Sequence, residues 1–113
     1  MIAILDAFPV TAGHTLVIPK LHYPSIEDMP PEAMNCLHRL PAIVGAVRKL
    51  MKADGMNIWQ NNGPSAGQRI EHVHFHLVPR LDGDNLFHYP RSRKLDSEKA
   101  ARMVEQFRMA ELG

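Results

Sequence analysis

Apolar positions cluster at a few places along the chain, and their spacing predicts the elements. Ile2 to Leu5 is a short continuous apolar run that suits a buried strand. His14 to Ile18 is rich in β-branched residues and stops at Pro19, so it reads as a second strand. Phe8 to Gly13 connects them, punctuated by Pro9 and Gly13, and the two runs predict an antiparallel pair. Pro30-Pro31 then opens a helix, since proline suits a first turn. Met34, Leu37, Leu40, Val44, Val47 and Met51 recur at spacings of three and four, which makes one apolar helical face. Pro41 falls inside this pattern and should kink or split the helix, and Asp54-Gly55 ends it. Met56 to Gln60 reads as a third strand, Asn61 to Gly67 as a turn-rich loop, and His72 to Val78, closed by Pro79, as a fourth strand. Beyond a loop containing Gly83, Asp96-Ser97-Glu98 supplies an N-cap and an acidic first turn for a second helix running to about Leu112. Strands and helices do not alternate as βαβ units. The expected fold class is α+β, an antiparallel sheet of four to five strands with two main helices.

Composition narrows the function classes. A chain of 113 residues and 12.7 kDa has room for one domain, taken as residues 1–113. Folding would bury roughly two-thirds of its unfolded surface, enough for a core without staples. Thirteen Lys and Arg against twelve Asp and Glu give a formal charge of +1, so nothing draws the chain toward nucleic acid or a membrane surface. Any phosphate must be held by local groups. Cys36 stands alone, which excludes an internal disulfide and a zinc knuckle. No apolar stretch reaches spanning length, and Met1 to Leu5 lacks a basic leader region. A cytoplasmic location is expected.

The composition departs from the ordinary in histidine. There are seven, and three of them lie within the segment His72-Val73-His74-Phe75-His76. Alternate side chains on a strand face opposite sides, so the three imidazoles would line one face while Val73, Phe75 and Leu77 pack into the core. Such a face admits a solvated polar surface, a metal site, or nucleophilic and acid–base chemistry. His72 and His76 stand about 13 Å apart along an extended strand, too far to converge easily on one ion. An adjacent pair with His14 could do so. Histidine also serves as a covalent nucleophile and carries protons near neutral pH. His22, His38 and His88 are read as surface or structural residues, and Trp59 as core.

His72-Val73-His74-Phe75-His76-Leu77-Val78 resembles the signature of the histidine triad (HIT) family, His-φ-His-φ-His-φ-φ with φ apolar, at every position. Leu5 to Lys20, Asn57-Ile58, Asn61-Asn62-Gly63 and Ala66-Gly67-Gln68 are similar to further parts of that family, so the resemblance runs from about Ile4 to Arg80. It implies a nucleotide-binding hydrolase, acting at the α-phosphorus of a nucleoside phosphate derivative through a nucleotidyl-histidine. His74 would be the nucleophile, His76 would act beside the α-phosphate, and His72 and His14 would orient the array. A backbone carbonyl accepting from one ring nitrogen would fix the His74 tautomer. Asp6 would meet ribose hydroxyls; Asn61, Gly67 and Gln68 would meet phosphates; Ile4 and Leu5 would wall the base.

Two departures stand out. Arg69 occupies a position often held by Ser or Thr in the family, and the resemblance implies a further segment ahead of the Ile4–Asp6 strand, of which this sequence carries only Met1 to Ala3. The C-terminal part is more similar to dinucleoside polyphosphate hydrolases than to phosphoramidases. A phosphoramidase and a non-catalytic nucleotide-sensing module are the alternatives. The resemblance further implies a homodimer, AMP derivatives as substrates, no cofactor, and chemistry that requires no metal.

Overall fold

Four strands form one antiparallel sheet in the order β1-β2-β4-β3: β1 (Ile2–Leu5), β2 (Thr15–Ile18), β3 (Gly55–Trp59) and β4 (Phe75–Arg80). The protein is seen here as a computed structural model that describes residues 1–86 and 92–110. Two α-helices complete it, α1 (Leu40–Leu50) and α2 (Ser97–Met109). The α+β architecture follows from the apolar runs. His88 and Leu112 lie outside the described residues. No helix among the described residues is long and apolar enough to cross a membrane.

The ladder register divides the sheet into two working faces. Leu16 pairs with His76, and His76 with Trp59, while Ile4 stands opposite Leu16, so these four share one face. Thr15, Leu77, Leu5 and Ile58 share the other. The core lies on this second face, where Val17, Phe75 and Leu77 meet Val73 and Met29. Leu37, Leu40, Ile43 and Val44 pack over them. The middle of the apolar face read across residues 34–51, Leu37, Leu40 and Val44, therefore closes on the core, while Met34 stays exposed.

Pro41 does split that segment. Residues Pro31–Arg39 wind as a 3-10 helix and α geometry begins only at Leu40. In a continuous α-helix the Pro41 ring would meet the Leu37 carbonyl and offer it no N–H. Instead the Leu40 amide donates to that carbonyl, a tighter turn that satisfies it from a neighbouring residue. The first helix is thus two helices of different pitch.

Two strand boundaries also differ from expectation. Pro79 does not close β4 but sits within it, opposite Met56. Its carbonyl accepts from Thr11 Oγ1 at 2.8 Å, on the side where β2 pairs. Its missing N–H would point the same way, beyond the last β2 pair at Thr15–Leu77, where no ladder bond is needed. At the other end, His72 and His74 precede the strand, which begins at Phe75. The His72 amide closes a bend onto Ile70 and the Val73 amide donates to Tyr23, so this stretch is tied to the segment after β2 rather than to a ladder.

α1 ends before Asp54-Gly55. The Lys52 amide bonds the Lys49 carbonyl and the Ala53 amide bonds that of Arg48, with Lys52 at φ 52°. This is the left-handed cap that glycine usually fills. We expect Lys52→Gly to raise stability by about 0.5–1 kcal/mol, because it relieves a left-handed residue carrying a Cβ. A higher denaturant midpoint at unchanged slope would show it.

Candidate active site

His14 stands where β2 begins, and its position depends on the turn before it. Gly13 takes φ +84°, and a Cβ there would fall 2.5 Å from Met51 Cγ, so the turn needs a residue with no side chain. The Val10 amide donates to His14 Nδ1 at 3.0 Å. Nδ1 is therefore an acceptor and the neutral ring carries its proton on Nε2. That nitrogen lies 2.9 Å from His76 Nδ1 and 3.6 Å from Asp6 Oδ2. His76 Nδ1 thus accepts, which leaves its own proton on Nε2.

His74 is held in the opposite tautomer. Its Nδ1 donates to the His72 carbonyl at 2.7 Å, so Nε2 keeps its lone pair. His74 and His76 have ring centroids 4.9 Å apart. Two neighbouring imidazoles in one cleft therefore present a bare nitrogen and a protonated one. This arrangement can pair a nucleophile with a proton donor.

The cleft has a volume of about 340 Å³ and is lined by Asp6, His14, Asn61, Gly67, Arg69, His74 and His76, with Phe8, Val10, Leu16, Trp59 and Ile70 as apolar wall. Burial lowers the His76 imidazole to about 4, the neighbouring His74 and His14 push it the same way, and Asp6 opposes them. Burial also lowers His14, again against Asp6. Both rings are neutral at pH 7.

The structure places several expected site residues elsewhere. His72 does not line the cleft: its Nε2 donates to the Pro19 carbonyl at 2.9 Å and its Nδ1 faces His22 Nδ1 at 3.1 Å. Only its carbonyl reaches the site, through His74. Gln68 faces away, its amide nitrogen donating to the Pro24 carbonyl and its oxygen accepting from the Gly63 amide. Gly67 lines the cleft, and the backbone amides of Gly67 and Gln68 are both bonded within their own turn, to Pro64 and Gly63. Ile4 shares the cleft's sheet face without lining the cleft. Leu5 is one residue out of phase, on the opposite face and 72% exposed.

Sequence reasoning missed three contributors. Trp59, read as core, stands 5.5 Å from the His76 ring on the cleft wall. Period-two counting would have found it, since Trp59 shares a face with Asn57 and not with Met56 or Ile58. The Val10 amide, which sets the His14 tautomer, leaves no mark in side-chain chemistry. His22, read as a surface or structural residue, is exposed and partners His72 in the structural role; its partner is what the sequence does not name.

Asp6, His14 and His76 each offer one donor atom, all within 4.8 Å of one another, which is the spacing of a metal cluster. The protons do not suit one. An ion at His14 Nε2 would drive that proton onto Nδ1, against the Val10 amide that already donates there. The cluster fits a hydrogen-bonded relay.

The HIT domain family model matches residues 1–83. The chain is 42% identical over 87 residues to "Adenylylsulfatase HINT3" of Arabidopsis thaliana, covering 76% of this chain and 44% of that protein. It is 44% identical over 80 residues to "Adenosine 5'-monophosphoramidase HNT1" of Saccharomyces cerevisiae, covering 71% and 49%. Among solved structures, SMU.412c from Streptococcus mutans UA159 superposes with a TM-score of 0.89 at 38% identity, covering 96% of this chain and 69% of that one. The α+β fold is thus shared with that solved structure. The chain belongs to the HIT family, and it spans about half the length of these two curated relatives.

The depressed His76 value makes stability depend on pH. Unfolded, the ring protonates near 6.5; folded, it does so only near 4. Between those values the unfolded state binds more protons, so stability is fully present above about pH 6.5 and falls progressively toward pH 4. We expect the melting temperature to drop across that window, and His76→Asn to flatten the drop.

Proposed function

We propose that this protein hydrolyses a nucleoside 5′-phosphate derivative at its α-phosphorus, with His74 as nucleophile. The supporting observation is the 2.7 Å bond from His74 Nδ1 to the His72 carbonyl, which leaves Nε2 unprotonated on the cleft wall. The named activities of the Arabidopsis and yeast relatives support a hydrolase that acts on an adenylyl group.

In this reading His74 Nε2 attacks phosphorus and forms an N–P bond as the bond to the leaving group breaks. His76 Nε2–H donates a hydrogen bond to the leaving group, and a leaving group that needs a proton takes it from solvent. His14 holds His76 in that tautomer through the 2.9 Å contact and is in turn fixed by the Val10 amide. Water then attacks phosphorus, the N–P bond returns its electrons to His74, and the proton from water passes to solvent. Asp6 faces the ribose side and Asn61 the phosphate side of the cleft. Phosphoramidates and dinucleoside polyphosphates both meet these demands, since each carries a leaving group on an α-phosphorus. Both pocket and relay need only the chain's own groups, so the reaction proceeds without a metal.

A homodimer belongs to the same proposal. The chain exposes 8,969 Å², against roughly 6,200 Å² expected for a folded monomer of this mass. Among the described residues β3 pairs on one side only, with β4, which leaves an edge that a second copy can cover.

The test follows AMP release from adenosine phosphoramidate, diadenosine triphosphate and diadenosine tetraphosphate in chelator, for the native chain and His74→Ala. The proposal expects turnover by the native chain and a loss of at least about 10³-fold in the variant. Turnover that survives in His74→Ala overturns the nucleophile. Native protein that binds AMP and leaves all three substrates intact is a nucleotide-binding module instead.

A further inference from the structure

We infer that Arg69 sets the leaving-group preference of this cleft, favouring substrates that release an anion such as sulfate, phosphate or polyphosphate over those that release an amine. The inference rests on the hydrolase reading above and concerns a residue that reading leaves without a task.

The argument is one of charge. A phosphoryl derivative brings negative charge into the cleft; of the groups expected to receive it, Asn61 lines the cleft but is uncharged, and the others are already committed. The amides of Gly67 and Gln68 bond within their own turn, and the Gln68 side chain braces Pro24 and Gly63. His14 and His76 are neutral at pH 7. Asp6 adds a negative charge of its own on the wall. Among the described residues lining the cleft, Arg69 carries the one fixed positive charge, and none of the ion pairs there involves it.

Its position suits a leaving group rather than the nucleoside. Arg69 lines both the histidine cleft and an adjoining groove of about 490 Å³ bordered by Ser25, Gly63 and Pro64. It therefore stands on the ridge between the two spaces. A leaving group that extends from the cleft into this groove would pass Arg69. Its planar fork donates two parallel hydrogen bonds to an oxyanion, which an amine cannot accept in that form.

The two leaving groups also need different help. When the P–O bond to a sulfate breaks, the electron pair stays on oxygen as a stable anion and no proton is required. Arg69 then offsets the charge that develops, and the proton of the attacking water passes to solvent. When a P–N bond breaks, the departing nitrogen takes a proton from solvent while His76 Nε2–H donates a hydrogen bond to it, and it leaves as a neutral amine. The proton of the water that then attacks phosphorus returns to solvent. Arg69 contributes to the first cleavage and has no charge to meet in the second.

The experiment measures kcat/KM for adenosine 5′-phosphosulfate and for adenosine phosphoramidate with the native protein, Arg69→Ser and Arg69→Lys. The inference expects the ratio of the first to the second to fall about tenfold in Arg69→Ser, the loss of one charge-assisted contact, and to recover in part in Arg69→Lys. An unchanged ratio overturns it, whether both rates hold or both fall together. Native protein that cleaves the phosphoramidate while the ratio stays fixed rejects Arg69 alone. Native protein that cleaves neither substrate overturns this inference, and the hydrolase reading falls with it when diadenosine triphosphate and diadenosine tetraphosphate also stay intact.

Discussion

Two backbone groups decide where the protons sit on three imidazoles, and the rest of the site is arranged to keep them there. The Val10 amide fills His14 Nδ1, which drives the His14 proton toward His76 and makes His76 Nδ1 an acceptor. The His72 carbonyl takes the His74 Nδ1 proton. Neither group can change its own protonation, so each fixes its ring more firmly than a titrating side chain would. Opposite tautomers on adjacent rings are the consequence. A face of three identical residues thus becomes a directional site.

Holding the His72 carbonyl in place is the work of the segment after β2. Residues 19–26 run alongside the loop from residue 60 to residue 73 and bond it repeatedly: Pro19 to the His72 ring, Tyr23 to the Val73 amide, Pro24 to Gln68, and Ile26 to Asn62. Gln68 and Asn62 act as braces within this frame rather than as ligands. The sheet supplies the other half of the frame. Val73, Phe75 and Leu77 are buried on the helix-covered face, which turns His74 and His76 outward into the cleft. Hydrophobic burial on one side therefore aims the imidazoles on the other.

The sequence showed most of what depends on periodicity and little of what depends on backbone bonding. Strands, the split at Pro41 and the His74–His76 face were legible because side-chain spacing dictates them. The end of α1 at Lys52 was not, since a left-handed lysine carries no compositional sign, and Asp54-Gly55 two residues on offered a false one. Pro79 inside β4 was illegible for a related reason: whether proline ends a strand depends on whether its missing N–H faces a partner. At the site, Gln68 carries the right chemistry in the right loop, yet two hydrogen bonds turn it outward. Leu5 stands on the opposite sheet face by phase alone. Arg69 was visible as a departure from the family pattern, and only the committed amides around it give that departure a meaning.

The account turns on the proton positions, and these can be read directly. Two-bond nitrogen–proton correlation spectra of ¹⁵N-labelled protein near pH 7 distinguish a ring protonated at Nδ1 from one protonated at Nε2. The account predicts His74 in the Nδ1–H form, with His14 and His76 both in the Nε2–H form. His74 found protonated at Nε2, or averaging between the two forms, would contradict it.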